Sequence, residues 1–241
     1  MATEENGMAT GTPHPLRTSE STARPTTNTL DHYASWGLWA LPVWALLLFY
    51  GTLTHQPNPS TDFRGYARYI TTTEFEVSHL VASIFGAGVG TLGFTALFVA
   101  LAKGRTAPLA LWGFIAAALG NTVIAAVFGA AAFAQPAIGR AYLSGHTAEA
   151  TAINNDVYGP ALFATALSAL LLLTIGIVLF GLAVTRSGFL PSWAGIGLML
   201  GIVLFAVIGF VLADFVQSIG AALLVVSTAW IAISGWRALR P

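Results

Sequence analysis

Cysteine is absent from the 241-residue chain, which excludes disulfides, thiolate nucleophiles and cysteine-ligated metals or clusters. Charge is scarce as well. Asp, Glu, Lys and Arg make up 8% of the residues and cancel to a net charge of zero, against about 25% charged residues in an ordinary soluble domain. The few basic residues are scattered, so there is no electrostatic footprint for nucleic acid, and no such partner is expected. No H-E-x-x-H or comparable ligand spacing occurs, so no metal is expected. His79 is the one histidine inside an apolar stretch, so a bis-histidine haem lacks its second ligand and no cofactor is expected. There is also no internal repeat strong enough to suggest an inverted-repeat transporter.

What the chain does have is apolar length, with 56% of its residues hydrophobic. Six apolar stretches lie near 35–53, 76–102, 108–133, 159–185, 192–212 and 215–236. At about 1.5 Å per residue, each is long enough to cross a hydrocarbon core of about 30 Å as a helix. The last two form a nearly continuous run of roughly 45 residues, about twice the membrane thickness if straight, so a tight turn near Asp214 is needed. The predicted fold is an all-α integral membrane bundle of six transmembrane helices.

Residues Met1 to about Asp31 are rich in Thr, Ser, Pro and Glu and lack apolar periodicity, which predicts a disordered tail over 1–33. The transmembrane domain then occupies 34–241, with long external loops near 54–75 and 134–158. The first stretch, "WGLWALPVWALLLFYGTL", starts far in and lacks a following small-residue cleavage site. It therefore reads as a retained span rather than a secretory signal, with Pro42 as a kink.

Charge orients the bundle. One set of connections and the C-terminal tail hold Lys103, Arg105, Arg186, Arg237 and Arg240 with no acid. The opposite set holds Arg64, Arg68 and Arg140 together with Asp62, Glu74, Glu76, Glu149, Asp156 and Asp214. The positive-inside rule then places both termini in the cytoplasm of a cell whose plasma membrane the chain spans. Trp36, Trp39, Trp44, Trp112, Trp193, Trp230 and Trp236 lie mostly near span ends, as aromatic belts do.

The stretch "TTTEFEVSHLVASIFGAGVG", 71–90, concentrates the candidate chemistry. Thr73 and Glu76 have capping-box spacing, and a carboxylate there complements the helix dipole. Asp214 and Gln217 repeat that spacing, while Asp156 precedes Gly159 and Pro160, an N-cap and N1 pair. Glu76, His79, Ser83, Gly86, Gly90 and Gly93 fall on one helical face, and Gly86 with Gly90 forms a G-x-x-x-G packing motif. Packing and capping explain much of this pattern. The functional alternative is an outward polar pocket formed by Glu76, His79, Asp214 and Gln217, joined by Asp156 or by His146 from the long loop. Asn121, near mid-membrane, must face protein and is expected to bond another helix. Gln135 and Pro136 are expected to mark the outer exit of the third helix.

The segments "GNTVIAAVFGAAAFAQPAIGRAYLSG", "NNDVYGPALFATAL" and "GLAVTRSGFLPSWAGI" resemble multi-span membrane proteins common in actinobacteria, over Thr72 to Leu239. The resemblance implies a bacterial membrane protein and carries no reaction or ligand with it.

The expected role is non-enzymatic: binding a small or lipid-like ligand, a membrane-protein partner or a second copy of the chain within the bilayer. One alternative is a membrane enzyme acting on a lipid or isoprenoid, with Glu76 or Asp214 as general acid and His79 as its partner. Another is a small-solute transporter, which a charge at the bilayer centre or a pair of broken helices would favour; the sequence has neither.

Overall fold

The computed structural model describes residues 29–209 and 214–240, and every regular element among them is helical. Helices α1 (Thr29–Gly37) and α2 (Ala40–Thr52) form the first rod. Two short helices come next, α3 (Phe63–Tyr69) and α4 (Thr73–Val77). Without a break, α4 passes through a π-helical segment, Ser78–Phe85, into α5 (Gly86–Leu101). Then come α6 (Ala107–Leu143), α7 (Thr147–Val157), α8 (Pro160–Arg186) and α9 (Ser192–Val203), which ends in a second π segment, Leu204–Ile208. Helix α10 covers Asp214–Leu239.

Five of these helical rods are long and apolar enough to cross a membrane: Thr29–Thr52, Thr73–Leu101, Ala107–Leu143, Pro160–Arg186 and Phe215–Leu239. The rod Ser192–Ile208 is apolar but shorter. The rods form a closed ring in chain order: α2 packs on α5, α5 on α6, α6 on α8, α8 on α9, α9 on α10, and α10 on α2. Large apolar side chains such as Leu46, Phe85, Leu92, Phe133, Leu171 and Leu200 remain exposed around the ring. Soluble monomers rarely expose so much contiguous apolar surface, whereas a multi-pass membrane protein presents it to lipid.

The two ends of the ring differ. One carries Lys103, Arg105, Arg186 and Arg237, and here it is called the basic end. Trp36, Trp39, Trp112, Trp193 and Trp230 are exposed toward it, and Asp31 forms an ion pair with Lys103 across it. At the other end, the capped end, α3 and α7 pack on the last turns of α6. Trp44 does not belong to a belt. It is buried against Phe94, with ring centroids 5.0 Å apart.

Small residues bring the helices of the ring into contact. A Cβ added at Gly113 would lie 3.1 Å from the Gly176 carbonyl oxygen, and one added at Gly176 would collide with the Ala117 backbone. Gly86, Gly90 and Gly93 face Leu47, Trp44 and Leu41 of α2, so the G-x-x-x-G motif packs helices as expected. Gly197 faces Ser227, Gly201 faces Gly220 and Leu224, and Gly209 faces Gln217. These pairings make α9 and α10 an antiparallel hairpin. Residues 210–213, where the dividing turn was expected, lie outside the described residues, as do residues 1–28 of the tail.

Four local expectations need correction. The first helix starts at Thr29, inside the segment assigned to the tail. Pro42 does break the first rod, but the interruption falls one turn earlier, at Leu38–Trp39. Proline cannot donate to the carbonyl four residues earlier, and its ring crowds that carbonyl. The Leu38 carbonyl instead accepts from Leu41 N at 3.1 Å, three residues on. Helix α6 continues past Gln135 and Pro136 to Leu143, because α3 packs on that extension. A Cβ at Gly139 would lie 2.9 Å from the Ala67 carbonyl oxygen, and Tyr142 meets Phe63 with centroids 4.6 Å apart. The cap of α4 is Thr72, whose hydroxyl accepts from Phe75 N at 3.2 Å. Thr72 is the residue with extended backbone, at φ −89° and ψ 155°, so the N3 position falls on Phe75 and the capping box with Glu76 does not form.

Candidate functional site

A cavity of about 410 Å³ opens in the capped half of the ring, within the roughly 300–1,000 Å³ typical of small-molecule pockets. Each contributing rod lines it with the stretch nearer the capped end: Trp44 to Thr54, Ser78 to Ala87, Asn121 to Phe128, Phe163 to Leu173, and Phe205 with Gln217. Its wall is mainly apolar, as ligand pockets usually are, with a few polar groups set into it.

Both π segments border this cavity, one through Ser78, His79, Ala82 and Ser83, the other through Phe205. A π turn inserts a residue into the helical repeat, which rotates the later turns relative to the earlier ones, and such turns are frequent at functional sites. The face expected to run from Glu76 to Gly93 is split there. His79 and Ser83 face the cavity, the glycines face α2, and Glu76 is exposed and faces neither.

His79 is held by the turn beneath it. Its Nδ1 lies 3.1 Å from the Phe75 carbonyl oxygen and 3.1 Å from Ser78 Oγ. A carbonyl only accepts, so Nδ1 carries the proton and Nε2 presents a lone pair. The ring lies over Phe75 at a centroid distance of 4.0 Å and meets Phe128 edge-on at 5.7 Å. Phe75 also belongs to a small core with Tyr66 and Ile70, so it links the capping helices to the cavity wall.

Asn121 is buried in α6, and its Nδ2 donates to the Ala87 carbonyl oxygen and to Thr91 Oγ1 at 3.1 Å. This is the interhelical bond expected of it. Because the carbonyl requires a donor, the amide orientation is fixed, and Oδ1 is left as the acceptor. Gln217 enters the wall from α10, one residue before Ser218, whose hydroxyl donates to Thr52 Oγ1 at 3.0 Å.

Three of the seven residues singled out in the sequence, His79, Asn121 and Gln217, thus line one cavity. Glu76 is exposed, His146 is exposed at the start of α7, and Asp156 is exposed on α7. Asp214 begins α10, and its side chain lies outside the described residues. Gly159 and Pro160 do form the N-cap and first turn of α8. Among the described residues, no group of three His, Asp or Glu side chains is arranged to hold a metal ion.

Sequence reasoning missed Ser78, Thr52, Trp44 and the wall supplied by Phe128, Phe163, Leu167 and Leu170. The five-residue spacing of Ser78 and Ser83 is a trace of the π turn, and Ser83 Oγ donates to the Ser78 carbonyl oxygen at 3.3 Å. For the apolar wall there is no signal. Leucine and phenylalanine facing a void look the same in sequence as those facing lipid.

A second buried polar group lies in the cap. Tyr66 donates from its hydroxyl to Asn154 Oδ1 at 3.1 Å. The Tyr158 hydroxyl adjoins the Gln135 side chain, yet neither it nor Gln135 Oε1 makes a well-aligned hydrogen bond. Burial, and then the nearby Tyr158, push the Tyr66 phenol well above its usual range. Burial also pushes Tyr158 up to about 12, with the Gln135 side chain acting the other way.

No family model, curated protein or solved structure matches this chain.

Proposed function

We propose that the chain is a six-span protein of the plasma membrane with both termini cytoplasmic, and that it binds an amphipathic, lipid-like ligand in the cavity of its capped half. The observation that carries the binding reading is the convergence of His79, Asn121 and Gln217 on one largely apolar cavity. Such a wall suits a molecule that is mostly hydrocarbon and carries a polar group. For the sixth span, Ser192–Ile208 is about 25 Å long at 1.5 Å per residue and pairs antiparallel with α10. The basic end holds Lys103, Arg105, Arg186, Arg237 and Arg240 against Arg64, Arg68 and Arg140 at the capped end, and that excess favours the basic end as the cytoplasmic face.

The reading calls for no charge transfer across the bilayer and no acid. Glu76, which acid–base work with His79 would call on, is exposed and does not line the cavity.

Two experiments test these readings. Native mass spectrometry of the purified protein should detect a co-purifying lipid-like adduct, and Ala166→Leu, which fills the cavity wall, should remove it without unfolding. An adduct equally abundant in the filled variant would end the cavity reading. Because the chain has no cysteine, topology can be tested with single cysteines. In intact cells a membrane-impermeant maleimide should label Asn58→Cys, and it should label Ala238→Cys, at the far end of the sixth span, only after lysis. Labelling of both in intact cells would refute the six-span arrangement.

A further inference from the structure

We infer that the ligand of this cavity has an uncharged headgroup that donates hydrogen bonds: an aliphatic or isoprenoid alcohol rather than a fatty acid, amine or phospholipid. The inference rests on the proposed cavity reading and turns on which protons the wall still has to offer. Ser78 Oγ donates to the Phe75 carbonyl oxygen at 2.9 Å, and Ser83 Oγ donates to that of Ser78. Thr52 donates to the Phe49 carbonyl oxygen at 2.7 Å, and Thr54 to that of Gly51 at 3.0 Å. His79 spends its Nδ1 proton on Phe75, and Asn121 spends its amide protons on Ala87 and Thr91.

These six side chains therefore have no proton left to offer a ligand; the Thr52 oxygen already accepts from Ser218, while His79 Nε2 and Asn121 Oδ1 keep lone pairs without a partner. Among the described wall residues, donor protons remain on the Gln217 amide and the Trp44 indole. A buried acceptor left unpaired is costly, by more than an average hydrogen bond gains, so the complementary ligand brings protons.

The wall also lacks charge. None of the described residues lining the cavity is Asp, Glu, Lys or Arg. A carboxylate, ammonium or phosphate would enter a low-dielectric site with no counter-ion among the described wall residues, which is far more costly than burying a hydroxyl that finds acceptors. A hydroxyl meets both conditions, donating its proton and carrying no charge.

The test uses the full chain in nanodiscs and a photoreactive diazirine-bearing long-chain alcohol, with labelled residues mapped by mass spectrometry. Dodecanol, its methyl ether, dodecanoate and dodecylamine then compete with the probe. Labels should fall on α2, α6 and α8 at the cavity, and dodecanol should compete at least about tenfold better than the other three, since each leaves acceptors unpaired or buries a charge. His79→Phe, which retains an aromatic ring against Phe75, should shrink the gap between dodecanol and its ether. If dodecanoate or dodecylamine competes as well as dodecanol, the headgroup inference is overturned while the cavity reading stands. If the ether equals the alcohol, donation is irrelevant and the inference is likewise overturned. Labels only outside the cavity, with no competition, would overturn the cavity reading and the inference together.

Discussion

The basic-end half of the ring is packed, and the capped-end half is open, along the same helices. On α8, Ile177, Phe180, Ala183 and Val184 are buried, whereas Phe163 and Leu167, which line the cavity, are exposed. On α6, Gly113 and Ala117 meet α8 at backbone distance, while Ile124, Val127 and Phe128 face the cavity. Helices in a membrane associate mainly through van der Waals contact, because lipid tails are as apolar as leucine. Small residues permit that contact, and bulky residues without small partners wedge helices apart. An opened half is tolerable in lipid provided something apolar fills it, which ties the architecture to the ligand proposed for it.

Phenylalanines on one helix give the sharpest way to break this comparison. Phe180 is fully buried, 6.1 Å from Phe94 between ring centroids, and Phe180→Ala should cost about 3 kcal/mol through lost contacts and a new void. Phe163→Ala should cost under about 0.5 kcal/mol, as surface changes do. The comparison of thermal midpoints in nanodiscs checks this. Equal losses would mean that the capped half is as tightly packed as the basic half. Glycine offers a second contrast of smaller size. Gly176→Ala places a Cβ against the Ala117 backbone and should cost about 1–3 kcal/mol by overpacking. Gly129 has nothing within 4 Å of an added Cβ, so Gly129→Ala should leave stability unchanged or raise it by up to about 1 kcal/mol, the helix-propensity difference.

The close helix contacts were the legible part. Apolar runs of span length are imposed by the bilayer, and G-x-x-x-G spacing reports close helix approach directly. His79 and Asn121 stood out because polar groups are rare in such runs. The open half was legible only at these points. Glu76 drew attention by its place near a helix start, but the π turn between it and the cavity residues depends on tertiary packing that a 3.6-residue period does not register. The extension of α6 was hidden for a similar reason. Its sequence, from Gln135 to Leu143, reads as an exit with proline, glycine and arginine, and it stays helical because α3 and α7 pack along it.

The smallest expected effects lie in the cap, where one tyrosine has a partner and the other does not. Tyr66→Phe leaves Asn154 Oδ1 without its donor and should cost about 1 kcal/mol. Tyr158→Phe removes a hydroxyl that makes no aligned bond, and it should be neutral or slightly stabilising. Alkaline pH probes the same pair. Burial holds the Tyr158 phenol protonated up to about 12 against the usual 10.0. An unfolded or loosened cap releases that proton near 10, whereas the folded cap keeps it. The stability this contributes is therefore complete below the usual value and is lost as pH rises through the folded one. Tyrosinate absorbance should show two late-titrating phenols in the native protein, and one fewer in Tyr158→Phe. If Tyr158 instead titrates near the usual 10.0, water reaches the cap freely, and the burial that sets it apart from the open cavity does not hold.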